Sequence, residues 1–307
     1  MRMRLLVVTV AAALMLLHAS PSHAIIDGVP DRGEHPYVGQ LIFYVPDAVD
    51  PRFDDPGAWF NCSGSLLNAT IVVTAGHCTF ATGREGESTT AGGGTGSGGT
   101  DVWISFAEAP DYSILPPSTT FAPGNNQGRY DAWSAALDRS TQWREATAYP
   151  HPDYVDATFF LHDAGVLRLA AARPTGEYGE LPTLGLLDTY AKNRRQRFTA
   201  VGYGLVDSGP KTAVGGDTRQ RADMRLIGLR GVFGVPVGTA AKFAGSGPDL
   251  GNTCFGDSGG PILVAGTNTI TSVTSFGLNV NCSGPGGGYR LDQSDDLAWL
   301  GTFGVAP

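Results

Sequence analysis

Gly256-Asp257-Ser258-Gly259-Gly260-Pro261 sets a serine among glycines. Glycine on both sides of Ser258 lets backbone N–H groups turn toward one point in a cleft, as an oxyanion hole requires. A serine hydroxyl alone is a weak nucleophile and needs an adjacent base. Upstream, Ile71-Val72-Val73 runs into Thr74-Ala75-Gly76-His77-Cys78, which puts a histidine at a strand end beside a cysteine. A neutral imidazole supplies the base, and a buried carboxylate sets its tautomer and stabilises the imidazolium. Asp163 opens Asp163-Ala164-Gly165-Val166-Leu167-Arg168-Leu169, an acid heading an apolar strand, whereas Asp153 and Asp156 sit in a polar loop.

Chain order separates the folds that carry this chemistry. The block around Ser258 also satisfies G-x-S-x-G, the nucleophile elbow of α/β-hydrolases, but that fold needs the acid and the histidine after the serine. The histidines are His18, His23, His35, His77, His151 and His162, and none follows Ser258. The subtilisin order begins with the acid. The remaining order, histidine, acid, serine, fits His77, Asp163 and Ser258.

Working outward, the chain has 307 residues, 42% hydrophobic and 16% charged, enough for one large domain or two packed halves. Its 43 glycines are roughly twice ordinary usage. They disfavour a helix bundle and suit a β-rich, loop-rich protein. A net charge of −8 disfavours an electrostatic grip on nucleic acid.

Arg2 and Arg4 precede the uncharged apolar run from Leu5 to Leu17, and Ser22-His23-Ala24 ends on small residues. This is the pattern of a secretory signal peptide over residues 1–24, too short in its apolar run for a spanning helix. No other segment is expected to cross a membrane. Cleavage after Ala24 leaves a chain starting at Ile25 in an oxidising compartment, where paired cysteines are expected.

Short apolar or β-branched runs between turn residues predict strands over Tyr37–Val45, Ile71–Ala75, Val102–Phe106, Gly165–Leu169, Phe198–Gly204, Ala222–Leu229, Ile262–Val264 and Ile270–Phe276. Ser294, Asp295 and Asp296 followed by Leu297, Leu300 and Phe303 predict a capped C-terminal helix. The glycine-rich stretch Ala81 to Thr100 and parts of Asp111–Gly128 read as surface loops, and Ala170 to Pro182 as a link between halves. His35 and His151 read as surface residues and His162 as structural. Trp59, Trp103, Trp133, Trp143 and Trp299 read as packing. No cysteine or histidine cluster has metal-ligand spacing, so no metal and no cofactor are expected.

On these residues the chain resembles the secreted trypsin-like, chymotrypsin-fold serine proteases. The His77 and Ser258 blocks carry the resemblance. Ile25-Ile26-Asp27-Gly28, Val201-Gly202-Tyr203-Gly204, Ser275-Phe276-Gly277 and the final helix add weaker matches. The resemblance implies an all-β fold of two antiparallel six-stranded barrels with a short C-terminal helix. It places a first barrel at 25–175 and a second at 176–307. It implies His77 as general base, Asp163 orienting it, Ser258 as nucleophile, and the N–H groups of Gly256 and Ser258 as oxyanion hole. It pairs Asp257 with the new α-ammonium of Ile25. Four cysteines allow three pairings; the resemblance selects Cys62 with Cys78 and Cys254 with Cys282.

By the same resemblance, Asn252, Thr253, Ser275, Phe276, Gly277 and Gly287 form the specificity pocket, with Asn252 where trypsins carry an acid. A neutral pocket does not offset the desolvation of a guanidinium or ammonium, so an uncharged side chain before the cleaved bond is expected. The implied partners are a polypeptide substrate and a proteinaceous inhibitor, and the protein is expected to be a secreted monomer. Two rival readings keep the fold: a non-catalytic binding protein, and an esterase using the same triad.

Overall fold

The computed structural model describes residues 25–48, 56–83, 99–193, 195–209, 212–229, 239–245, 250–279 and 281–307. The expected signal peptide and most of the glycine-rich stretch lie outside the described residues.

The apolar runs become strands because pairing satisfies their backbone N–H and C=O groups while closure into barrels buries their side chains. In chain order they are β1 (Val29–Pro30), β2 (Val38–Val45), β3 (Ala58–Leu66), β4 (Ile71–Thr74), β5 (Val102–Ser105), β6 (Trp143–Pro150), β7 (Gly165–Leu169), β8 (Arg197–Gly202), β9 (Leu205–Gly209), β10 (Thr212–Gly215), β11 (Gln220–Gly228), β12 (Ala240–Ala244), β13 (Pro261–Val264), β14 (Ile270–Gly277) and β15 (Gly286–Arg290). Strands β2-β3-β4-β7-β6-β5 close one antiparallel barrel. Strands β8-β11-β12-β15-β14-β13 close a second, with β1 added on β11 and β9–β10 forming a separate hairpin. The fold is thus two closed six-stranded antiparallel barrels. Among the described residues no strand lies between Leu169 and Arg197.

Among the described residues three α-helices complete it: α1 (Asn126–Arg139), α2 (Leu186–Tyr190) and α3 (Ser294–Gly301). Helix α1 corrects the loop reading at its overlap with Asp111–Gly128. It lies over the outside of the first barrel, where Leu137 packs with Ile42, Trp103 and Trp143. Three indole N–H groups fasten this layer: Trp103 to Asp138, Trp133 to the carbonyl of Pro116, and Trp143 to that of Asp111. Helix α3 begins at Ser294 as expected, but its N-cap is Gln293 without a side-chain cap, so Ser294 does not fill that role.

The barrels are bolted together by Arg219, which is 2% exposed. Its Nε donates to Asp31 at 2.8 Å, and its Nη1 donates to the carbonyls of Val38 and Phe106 and to the Tyr203 hydroxyl. Burial would raise the Asp31 carboxyl, but His35 and Arg219 outweigh it and hold it at about 2. His35 is therefore not a free surface residue: its Nδ1 lies 2.5 Å from Asp31. His151 is also corrected from surface to buried, at 3% exposure.

Candidate active site

The turn holding His77 is a single 3-10 turn, Gly76–Cys78, that follows β4 directly. Strand β7 pairs with β4, with Gly165 opposite Thr74, so Asp163 arrives at the same barrel end. The Asp163 carboxylate is fully buried. It accepts the backbone N–H of His77 at 2.9 Å and faces His77 Nδ1 at 3.1 and 3.0 Å through its two oxygens. The Ser275 hydroxyl donates to the same carboxylate at 2.5 Å. An ionised carboxylate only accepts, so Nδ1 carries the proton and Nε2 keeps its lone pair. Burial pulls the His77 pKa down, but the charge and hydrogen bond of Asp163, helped by Asp156, raise it above its ordinary value.

Two adjacent residues of β3 set the spacing of the site. Cys62 is disulfide-bonded to Cys78, next to His77. Ser63, its neighbour, holds the serine loop: its N–H donates to the Ser258 carbonyl at 2.7 Å and its hydroxyl to the Gly256 carbonyl at 2.9 Å. Ser63 also accepts from the N–H of Tyr203. Sequence reading missed Ser63, since a serine in a strand carries no signal of its own. Cys254, bridged to Cys282, anchors the other side of the loop.

Within that loop glycine is required twice. Gly256 has φ +99°, and Gly259 has φ +75°. A Cβ on Gly259 would overlap the Thr74 hydroxyl at 2.0 Å. Gly202 and Gly204 make room for Asp257, whose two oxygens accept from the N–H groups of Gly204 and Cys254 at 2.8 Å each. Burial is the dominant influence on that carboxyl and pushes its pKa up to about 7. Nearby, Ile26 and Asn252 exchange two backbone hydrogen bonds of 3.0 Å, and Ile25 is fully buried in the apolar cluster of the second barrel.

His77 and Ser258 line one cavity of about 570 Å³. Thr253, Ser275, Phe276 and Gly277 line it too. Phe159, Phe255 and Leu278 join them, unforeseen from sequence; Phe255 is 59% exposed at its position beside Gly256. Asn252 and Gly287 are not among the lining residues. The Asn252 amide turns away to pair with the backbone of Gly245. Gly287 sits opposite Phe276 in the sheet, under its ring, while Gly286 lies opposite Gly277 with its Cβ direction 3.2 Å from the Thr253 hydroxyl. Gly286 is not among the lining residues either. Asp156 is the one carboxylate lining the cavity, and no lysine or arginine lines it among the described residues.

The sequence model of the trypsin family matches residues 125–294, more than half of the chain and a span that includes Asp163 and Ser258. Over 240 residues the chain is 25% identical to phenoloxidase-activating factor 1 of Holotrichia diomphalia, covering 75% of this chain and 58% of that protein. Over 208 residues it is 28% identical to mast cell protease 2 of Meriones unguiculatus, covering 67% of this chain and 65% of that protein. The chain therefore spans about three-fifths of the length of these relatives. The solved structure of HL collagenase superposes with a TM-score of 0.60 at 19% identity, covering 92% of this chain and all of that one, which is a likeness of fold. With both barrels closed and the match running through the serine loop, the chain belongs to the trypsin family.

Proposed function

We propose that this protein is a secreted serine endopeptidase that works through an acyl-enzyme, with a first-barrel unit at 25–175 and a second at 176–307. The carrying observation is that Asp163 holds the Nδ1 side of His77 while the same histidine and Ser258 line one cavity. His77 Nε2 takes the Ser258 hydroxyl proton as Oγ attacks the substrate carbonyl. Asp163 stabilises the imidazolium, and the N–H groups of Gly256 and Ser258 receive the oxyanion. The imidazolium then protonates the leaving amine. Water repeats the sequence to release the acyl group.

The test is labelling with an organophosphonate active-site probe, followed by peptide profiling. Stoichiometric labelling of the protein and none of Ser258→Ala is expected; an unlabelled protein would show a binder on a protease fold. Cleavage is expected after Phe, Tyr or Leu rather than after Lys or Arg. The apolar walls from Phe276, Phe255 and Leu278 support this, and no carboxylate was found at position 252. A preference for Arg reporters would overturn it.

Asp257 supports activation by removal of residues 1–24. Two N–H groups hold its carboxylate, and the cost of burying that charge calls for a cation, which the α-ammonium of Ile25 would supply. While the chain continues ahead of Ile25, Asp257 titrates near 7 when folded against an ordinary 3.8. The folded state then binds the extra proton, so stability falls as pH climbs from about 4 to about 7. A protein starting at Ile25 should lack this fall. It should instead weaken as pH rises past the ordinary amine range, about 7.7–8.0. Melting temperatures across pH 4–9, with and without an extension ahead of Ile25, measure both trends; superimposable curves would rule out the ion pair.

A further inference from the structure

We propose that His151, His162 and Asp153 form a site for one divalent cation of the zinc, copper and nickel class, set behind the triad. Spacing in sequence hid it, because the residues flank a loop rather than share a helix or strand. Strand β6 ends at Pro150, and the His151 N–H donates to the carbonyl of Ala164 at 2.9 Å, which closes the loop and brings its two ends together. His162, at the far end, has φ +50°, and its ring lies on that of His151 with centroids 5.0 Å apart.

One ligand atom from each of His151, Asp153 and His162 lies within 4.8 Å of the others. Ligands about 2.0–2.2 Å from a zinc-class ion stand closer together than that, so loading needs a modest contraction. The chemistry of the donors suits it. His151 Nδ1 already acts as an acceptor, taking the N–H of Asp153 at 3.2 Å. His162 Nδ1 is buried without a hydrogen-bond partner. The Asp295 carboxylate lies 3.7 Å from it. Two imidazoles with carboxylates select zinc, copper or nickel over calcium or magnesium, which take oxygen.

The rings are nearly parallel, at 18°, so their in-plane lone pairs do not yet converge. His162 is the ring that turns: it is one-third exposed and no hydrogen bond fixes its Nδ1. Asp153 is exposed, which opens the site to solvent. Behind His151, Nε2 faces the buried Asp296 at 4.0 Å, and the Tyr289 hydroxyl donates to that carboxylate. The other cluster of this kind among the described residues, Cys62, His77 and Cys78, has both sulfurs tied in a disulfide.

Copper(II) titration of the whole secreted chain, read by electron paramagnetic resonance and calorimetry, tests the site. One ion per chain with two imidazole nitrogens is expected. His162→Asn should weaken it on the order of 100-fold, Asp153→Asn should weaken it as well, and His77→Ala should leave it unchanged. If His162→Asn does not fold, Asp153→Asn reads the same site from an exposed position. Absence of saturable binding, binding indifferent to both variants, or loss of binding with His77→Ala alone would overturn the proposal. None of these readouts depends on protease activity.

Discussion

Asp163→Asn is expected to lower kcat on a cleaved reporter peptide by about 10⁴-fold with the fold intact, the magnitude known for the template triad. The carboxylate accepts from three donors: the His77 backbone N–H, His77 Nδ1 and the Ser275 hydroxyl. An amide offers one oxygen in place of two and turns a nitrogen on the remaining partner. Where that nitrogen faces Nδ1, the ring must accept there and carry its proton on Nε2, the atom meant to take the serine proton. Rate and KM should separate, since the cavity walls are untouched. A loss under about tenfold, with melting unchanged, would remove Asp163 from the role proposed for it.

Arg219→Met should cost about 3–5 kcal/mol of stability, the range for breaking a buried ion pair from one side. At roughly 2–4 °C per kcal/mol for a chain of this size class, melting should fall by about 6–20 °C. The reason is what remains behind. Asp31 is fully buried, and without Arg219 only His35 faces its charge. The carbonyls of Val38 and Phe106 also lose a donor. Replacing Asp31 by Leu in the same chain should recover part of the loss, because removing both charges is far milder than stranding one. Melting curves of the two single variants and the double variant decide it; additive losses would show that the two side chains act separately.

The parts of the fold visible in the sequence were those where one local pattern had one outcome. Gly165–Leu169 is a strand at the limits its apolar run suggested, and Ile71–Ala75 overshoots by one residue. Strand β15 escaped notice because Gly286-Gly287-Gly288 has no side chains to alternate, and β3 because its Asn, Ser and Gly residues break the apolar pattern. Helix α1 escaped because its buried contacts are few and include the polar Asn126 and Arg129, so no apolar stripe announces it. At the site, the histidine and serine blocks were legible because their chemistry needs those residues in fixed local order. Ser63 and Arg219 were not, because they act through partners far away in the chain. The place of Gly287 has the same root: which of the neighbouring glycines lies opposite Phe276 is set by strand register, not by composition.

The aromatic layer beneath helix α1 also fixes how the molecule will look in light. Of its five tryptophans, Trp59, Trp103, Trp133 and Trp143 share that single patch on the first barrel. Trp59 lies 5.8 Å from Trp103 and 5.2 Å from Trp133, close enough for excitation to pass between them. The fifth, Trp299, stands on helix α3 with its ring edge against His151 at 4.9 Å. The strands of the second barrel hold no tryptophan. Intrinsic emission therefore reports the skin of one barrel and is nearly blind to the other. Its loss on denaturation and the loss of cleavage can come apart, and the gap between the two curves would time the halves separately.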